Sequence, residues 1–145
     1  MGRALELARR ARDLGEVPVG AVVVREGEEL GSGFNHRETS GSPLAHAELE
    51  AISNSRARVG GWRFEGCEMV VTLEPCAMCA GALVNARFAG LIFGAADPKA
   101  GFCGSLGDLV RDTRLNHRLT VREGVLAREC GALLSEFFSD LRRRR

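Results

Sequence analysis

No apolar run in this sequence approaches the roughly 20 residues that a membrane-spanning helix requires, so a place within the bilayer is not expected. Met1-Gly2-Arg3 opens onto a charged helical pattern and not onto the apolar core of a signal peptide, which predicts a cytoplasmic protein. Net charge is nearly absent: 20 Lys and Arg against 19 Asp and Glu leave +1. That balance gives no global field for gathering nucleic acid, so any polyanion contact has to be local. Lysine is scarce, Lys99 being the only one, whereas Arg142, Arg143, Arg144 and Arg145 put four positive charges on the last four residues. Five cysteines cannot all pair within one chain, and two of them stand as Cys76-x-x-Cys79, which counts against a disulfide framework and for metal or redox chemistry. Internal repeats, linkers and low-complexity segments are also missing, apart from the terminal arginines.

What is present suits one globular domain over residues 1–145, with 45% hydrophobic and 27% charged residues. Ala4, Leu7, Ala8, Ala11 and Leu14 recur at helical spacing and predict an amphipathic helix over 2–14, ended by Gly15. Val19 to Arg25 is apolar and rich in valine; Glu26-Gly27-Glu28 supplies a turn, and Leu30 to Phe34 can return as the second arm of a hairpin. Residues 35–45 read as a polar loop. A helix is expected from His46 to Ala57, broken by Gly60-Gly61, then a strand from Met69 to Leu73 and a helix over Ala77 to Arg87 opened by Pro75. A strand at Leu91 to Phe93, a Gly-rich loop from Gly94 to Gly107, a weak strand near Leu119 to Arg122 and a helix from about Val125 to Arg143 complete the order. This alternation predicts an α/β fold with helices on both faces of a central sheet.

His46-Ala47-Glu48 opens one predicted helix and Pro75-Cys76-Ala77-Met78-Cys79 the next. Cysteines three apart in a first helical turn point to one side, and the positive end of the helix dipole favours the thiolates that zinc requires. With His46 as third ligand, the fourth tetrahedral position stays open to water, as in catalytic zinc sites. Water there becomes hydroxide near neutral pH, and Glu48 can take its proton and hand it to a leaving amine. Alone, Cys-x-x-Cys is ambiguous among redox, structural zinc and chance, and a histidine at a helix start is more often a surface or capping residue. Together, His-x-Glu, about thirty intervening residues and Pro-Cys-x-x-Cys match the zinc deaminase signature.

At these residues the sequence resembles the cytidine deaminase superfamily, and more narrowly its bacterial tRNA-specific adenosine deaminase branch. The resemblance extends through Glu16-Val17-Pro18-Val19-Gly20-Ala21, Thr72-Leu73-Glu74-Pro75, Phe93-Gly94-Ala95, Asp97-Pro98-Lys99, Gly104-Ser105-Leu106, Asn116-His117-Arg118 and Glu129-Cys130 with Phe137-Phe138. It implies a three-layer α/β/α fold with a five-stranded mixed sheet, a homodimer, one Zn2+ per subunit, and a flipped adenine whose C6 is attacked while Glu48 shuttles protons. On the same ground Asn35, Ala47 and Pro75 are expected around the target nucleoside. Asp97, Lys99, Asn116 and the terminal arginines are expected to meet the anticodon stem-loop of a tRNA. Single-stranded loops suit such recognition because their bases can be splayed into pockets.

Competing assignments exist for several of these residues. Asn35 and Asp97-Pro98 also suit turns, a short basic end is often idle, and His36 and His117 read as surface or loop residues. Cys67, Cys103 and Cys130 read as free thiols behaving as small apolar groups. Leu44 stands where the branch commonly has Thr, and Phe102-Cys103 occupies a loop usually built of small residues. Two further functions stay open at this point: a free-base or nucleotide deaminase of the same superfamily, and a catalytically idle zinc-stabilised RNA-binding subunit. Glu48 speaks against the second.

Overall fold

The computed structural model describes residues 1–145. In chain order the elements are α1 (Gly2–Asp13), β1 (Gly20–Arg25), β2 (Glu28–Phe34), α2 (Arg37–Ser40), α3 (Ala47–Val59), β3 (Cys67–Leu73), α4 (Ala77–Asn85), β4 (Gly90–Ala95), β5 (Thr120–Arg122) and α5 (Ala127–Arg143). α1 buries Ala4, Leu5, Leu7, Ala8 and Ala11, a stripe of 3.6-residue period. Leu14, expected on that face, lies past the helix end and is exposed. The segment 35–45, expected to be loop throughout, contains the one-turn helix α2, stopped by Gly41 in the left-handed region. Gly60 (φ 81°) ends α3 in the same way.

The five strands form one sheet in the order β2-β1-β3-β4-β5. β1 pairs antiparallel with both β2 and β3, whereas β3–β4 and β4–β5 are parallel, so the sheet is mixed. Side chains alternate across it with period two. Val23, Met69, Val71, Leu91 and Phe93 join Ala47, Ala51, Ala80 and Leu83 of α3 and α4 in the main core. Val22 and Val70 face Ala4 and Leu7 of α1 on the other side, where Leu5 and Ala8 also meet Cys130 and Leu133 of α5. Helices thus cover both faces, giving the expected three-layer α/β/α arrangement.

Two contacts in this architecture position the chemistry. β2 carries Gly31 and Gly33 against α3, where a methyl on Gly33 would stand 2.7 Å from both Ala47 O and Ala51 N. Only glycine allows the helix to lie that close to the strand. At the C-terminal end of β3 the chain passes through Glu74 and Pro75 into α4, while the Glu74 amide donates to Ala95 O at the end of β4 (2.8 Å). The ends of two parallel strands therefore meet where α4 begins, the usual place for a ligand site in an α/β sheet.

Candidate metal centre and active site

His46 and Cys76 occupy equivalent positions, each capping a helix with extended backbone before the first helical residue (φ −80°, ψ 149° and φ −72°, ψ 176°). Both helices present their positive ends to the same point, and Cys79 lies within the first turn of α4. His46 Nδ1 lies 3.6 Å from Cys76 Sγ and 3.5 Å from Cys79 Sγ. One donor atom from each of the three residues falls within 4.8 Å of the others. A nitrogen and two sulfurs at this mutual distance are the donor set and the spacing that a tetrahedral zinc ion takes, with one position left over. No other group of three His, Cys, Asp or Glu side chains converges in this way.

The electrostatics agree with that assignment. Hydrogen bonding from Cys79 pulls the Cys76 thiol down to about 4, helped by His46 and opposed by partial burial. The same contact with Cys76 pushes Cys79 up, and burial adds to it. The two sulfurs thus share one proton, and His46 is raised by its contact with Cys76. A divalent cation takes both thiolates and the neutral imidazole, so binding here displaces protons. Glu48, in the first turn of α3, is almost fully buried beside Cys79, and burial raises its carboxyl above the ordinary glutamate value. A carboxyl raised in this way is suited to both giving and taking a proton near neutral pH.

A cavity of about 150 Å³ opens on this cluster, lined by His46, Ala47, Glu48 and Cys76 together with Asn35 and Asp97. Six of the expected residues therefore share one wall. Asn35 is buried; its Nδ2 donates to Val17 O (3.1 Å), and its Oδ1 accepts from the Arg37 amide (3.3 Å). The turn role and the pocket position coexist in this residue. Pro75 is buried between the lining residues Glu74 and Cys76 and is not itself a lining residue, its carbonyl accepting from the Phe102 amide (2.9 Å). Lys99 sits outside the cavity, in an adjoining groove with Phe138, Leu134 and Arg142. Val17, Leu73 and Asp97 line both spaces, so the groove continues from the cavity mouth.

The remaining basic residues diverge. Arg143 pairs with Asp140 (3.2 Å), Arg144 lines a separate cleft with Arg12 and Asp13, and Arg145 is exposed. Asn116 is exposed in the turn before β5, away from the cavity walls. His36 faces Phe34 O and Glu50, and His117 bonds Phe88 O, so neither approaches the metal cluster. Cys67, Cys103 and Cys130 are buried free thiols.

Sequence reasoning missed the apolar walls Val17, Val19 and Leu73, the rim residue Arg37, and two buried carboxylates. Glu16 accepts the amides of Glu38 (3.2 Å) and Thr39 (2.6 Å), which fastens α2 and its Arg37 at the rim. Burial pushes the Glu16 carboxyl up, but those amides and the Thr39 hydroxyl outweigh it and leave it lowered. Glu74 performs a similar task on the opposite rim. Each is a lone acid bordered by apolar residues and followed closely by proline, Glu16-Val17-Pro18 and Leu73-Glu74-Pro75. That context was the available clue, because an acid folded into such a stretch must find backbone donors.

Comparison with known proteins adds to this geometry. Residues 1–95 match the family model of the cytidine and deoxycytidylate deaminase zinc-binding region. The tRNA-specific adenosine deaminase of Bacillus subtilis (strain 168) is 46% identical over 145 residues, which is 100% of this chain and 90% of that protein. A solved tRNA:A34 deaminase, from work on A-to-I editing at the wobble position of transfer RNA, superimposes with a TM-score of 0.86 and 36% identity, covering 90% of this chain and 95% of its own. The guanine deaminase of Nitrosomonas europaea follows with a TM-score of 0.81 and 25% identity, covering 95% and 82%.

Proposed function

This chain belongs to the cytidine and deoxycytidylate deaminase family, and from that premise we propose that it hydrolyses adenosine to inosine at the wobble position of a tRNA anticodon. The observation that carries the choice of RNA over a free base is the continuity of the catalytic cavity with the groove of Lys99, Phe138 and Arg142. A free base needs only the cavity. A nucleotide within a loop needs somewhere for its neighbours, and an exposed aromatic flanked by two cations is suited to a stacked base and its phosphates.

His46, Cys76 and Cys79 would hold the zinc ion. Bound there, zinc supplies acidity to water, making a nucleophile available near neutral pH for attack at C6 of adenine. Glu48 would take one proton of the attacking water and pass it to the ring nitrogen, then take the second from the new C6 hydroxyl and pass it to the amino group, which leaves as ammonia while C6 becomes a carbonyl. Val17, Val19 and Leu73 provide apolar contact for the base and exclude bulk water from around Glu48. Asn35 spends one N–H and one lone pair on its turn and keeps a second of each for the nucleoside. Ala47 keeps the lining small, Pro75 sets the entry of the chain into Cys76, and Asp97 stands at the rim for polar contact with the sugar.

The same reading places the protein in the cytoplasm with its tRNA and pairs it with a second copy. Leu44 and Trp62 are more than half exposed and share an apolar groove with Leu49, Ile52, Ala82 and Ala86 on the outer face of α3 and α4. An apolar surface of that kind supports homodimer contact. The RNA assignment is tested by binding of an anticodon stem-loop across a salt series. Lys99→Ala with Arg142→Ala should lower the slope of log K against log salt by about 1.4, from roughly 0.7 per single-strand phosphate contact. An unchanged slope removes the groove from RNA binding.

A further inference from the structure

We propose that Glu74 is a positioning residue: its buried carboxylate fixes the loop 96–105 over Cys76 and thereby sets the rim on which substrate is held. The side chain is 2% exposed, and all four of its acceptor sites are taken. Oε1 accepts from the Asp97 amide (3.0 Å) and the Ser105 hydroxyl (2.5 Å). Oε2 accepts from the amides of Cys103 (3.0 Å) and Ser105 (3.0 Å). One carboxylate thus fastens both ends of the loop.

The fastening passes directly to the site. Asp97 Oδ1 accepts from the amides of Lys99 (3.0 Å) and Ala100 (3.2 Å), and Asp97 O accepts from Gly101 (2.9 Å). Asp97 and Ala100 line the catalytic cavity, and Lys99 the adjoining groove. Gly101 pairs with Cys76, so the loop also touches the metal-binding segment. A side chain at Gly101 would run into the Glu74 carboxylate, which shows how closely the loop is wrapped around it. Glu74 borders the catalytic cavity, but all four of its acceptor sites are taken by the loop and it makes no hydrogen bond to a metal donor, so its action is on the loop.

Glu74→Gln gives a specific test because the amide is nearly the same size but brings its own two donors. Placed at the Oε2 position, the NH2 group would face two amides. At Oε1 the Ser105 hydroxyl can turn to accept, and only the Asp97 amide is left unpaired. The second orientation costs less, so the substitution should free Asp97 while sparing Cys103 and Ser105. The zinc-loaded full chain is therefore examined by amide hydrogen exchange and by steady-state editing of an anticodon stem-loop. The expected result is exchange at Asp97 at least about tenfold faster, protection of the first turns of α3 and α4 retained, zinc content unchanged, and KM about tenfold higher with kcat changed by less than about threefold. Unchanged Asp97 exchange, unchanged KM, or loss of zinc would overturn the proposal. Should Glu74→Gln fail to fold, Ser105→Ala removes one of the four donors. It is expected to raise KM about two- to threefold, and an unaltered KM would overturn the proposal equally. The KM arm rests on the RNA reading and the exchange arm does not. A wild-type chain that leaves the stem-loop unedited while Glu74→Gln frees Asp97 refutes the substrate and keeps the positioning role.

Discussion

Replacing Glu48 by Gln removes the proton shuttle and almost nothing else. The residue is 4% exposed in the first turn of α3, and glutamine fills the same space without a titratable proton. General acid–base catalysis contributes about 10²- to 10⁴-fold for a single positioned group. In the proposed mechanism one carboxyl serves the water, the ring nitrogen and the leaving amino group, so the loss should reach the upper part of that range, at least about 10³-fold in kcat. At about 1.36 kcal/mol per decade this is about 4 kcal/mol of transition-state stabilisation. Stability should move the other way. Burial raises the Glu48 carboxyl, so its folded value lies above the unfolded one; it favours folding fully below the unfolded value and loses that contribution as pH rises through the folded value. The amide carries no such penalty, so the metal-free variant should melt no lower than the metal-free wild type at pH 8. The assay is single-turnover inosine formation beside a zinc determination and a thermal melt. Turnover within about fivefold of wild type, with zinc retained, would refute Glu48 as the shuttle.

Three further outcomes follow from the geometry. Stripping the metal with a strong chelator should lower the melting temperature and open the half-buried Cys76 sulfur to thiol reagents, since one ion on this cluster would hold the starts of α3 and α4 together; a melt indifferent to verified metal loss contradicts that tie. Glu16 is lowered in the folded state, so its contribution is complete above the unfolded value near 4.5 and is lost as pH falls through the folded one. Glu16→Gln should accordingly lower stability at pH 7, with the deficit shrinking toward pH 3 in denaturant titrations; a deficit independent of pH would contradict the sign. Gly33→Ala must push α3 from β2, costing about 1–3 kcal/mol and lowering the melting temperature by roughly 3–4 °C per kcal/mol. An unshifted melt would show that the contact is looser than described.

The metal cluster was legible in the sequence because two local patterns, His46-x-Glu48 and Cys76-x-x-Cys79, each sit at a helix start that periodicity and Pro75 also mark. Helices and strands were legible where one face is apolar, as in α1, or where a short run is apolar almost throughout, as in β3. Strand order was not, since β1 keeps its hairpin partner β2 on one edge and pairs on the other with β3, across a sequence gap filled by β2, α2 and α3, and no local pattern encodes that second neighbour. The mixed sheet came from family resemblance and the structure agrees with it. α2 was hidden because four polar residues carry no periodicity. The largest omission was the pair Glu16 and Glu74, whose function depends on backbone amides that only the folded loops bring to them. For the same reason Arg142 and Arg144 appear alike in sequence but face different clefts.

The most direct measurement is inosine formation, read by sequencing, in an anticodon stem-loop with adenosine at the wobble position, beside free adenine, adenosine, guanine, cytosine and deoxycytidylate. Editing of the stem-loop with the free compounds untouched is the expected result. Turnover of a free base with the stem-loop unchanged would contradict it, leaving the metal centre in place and the substrate wrong.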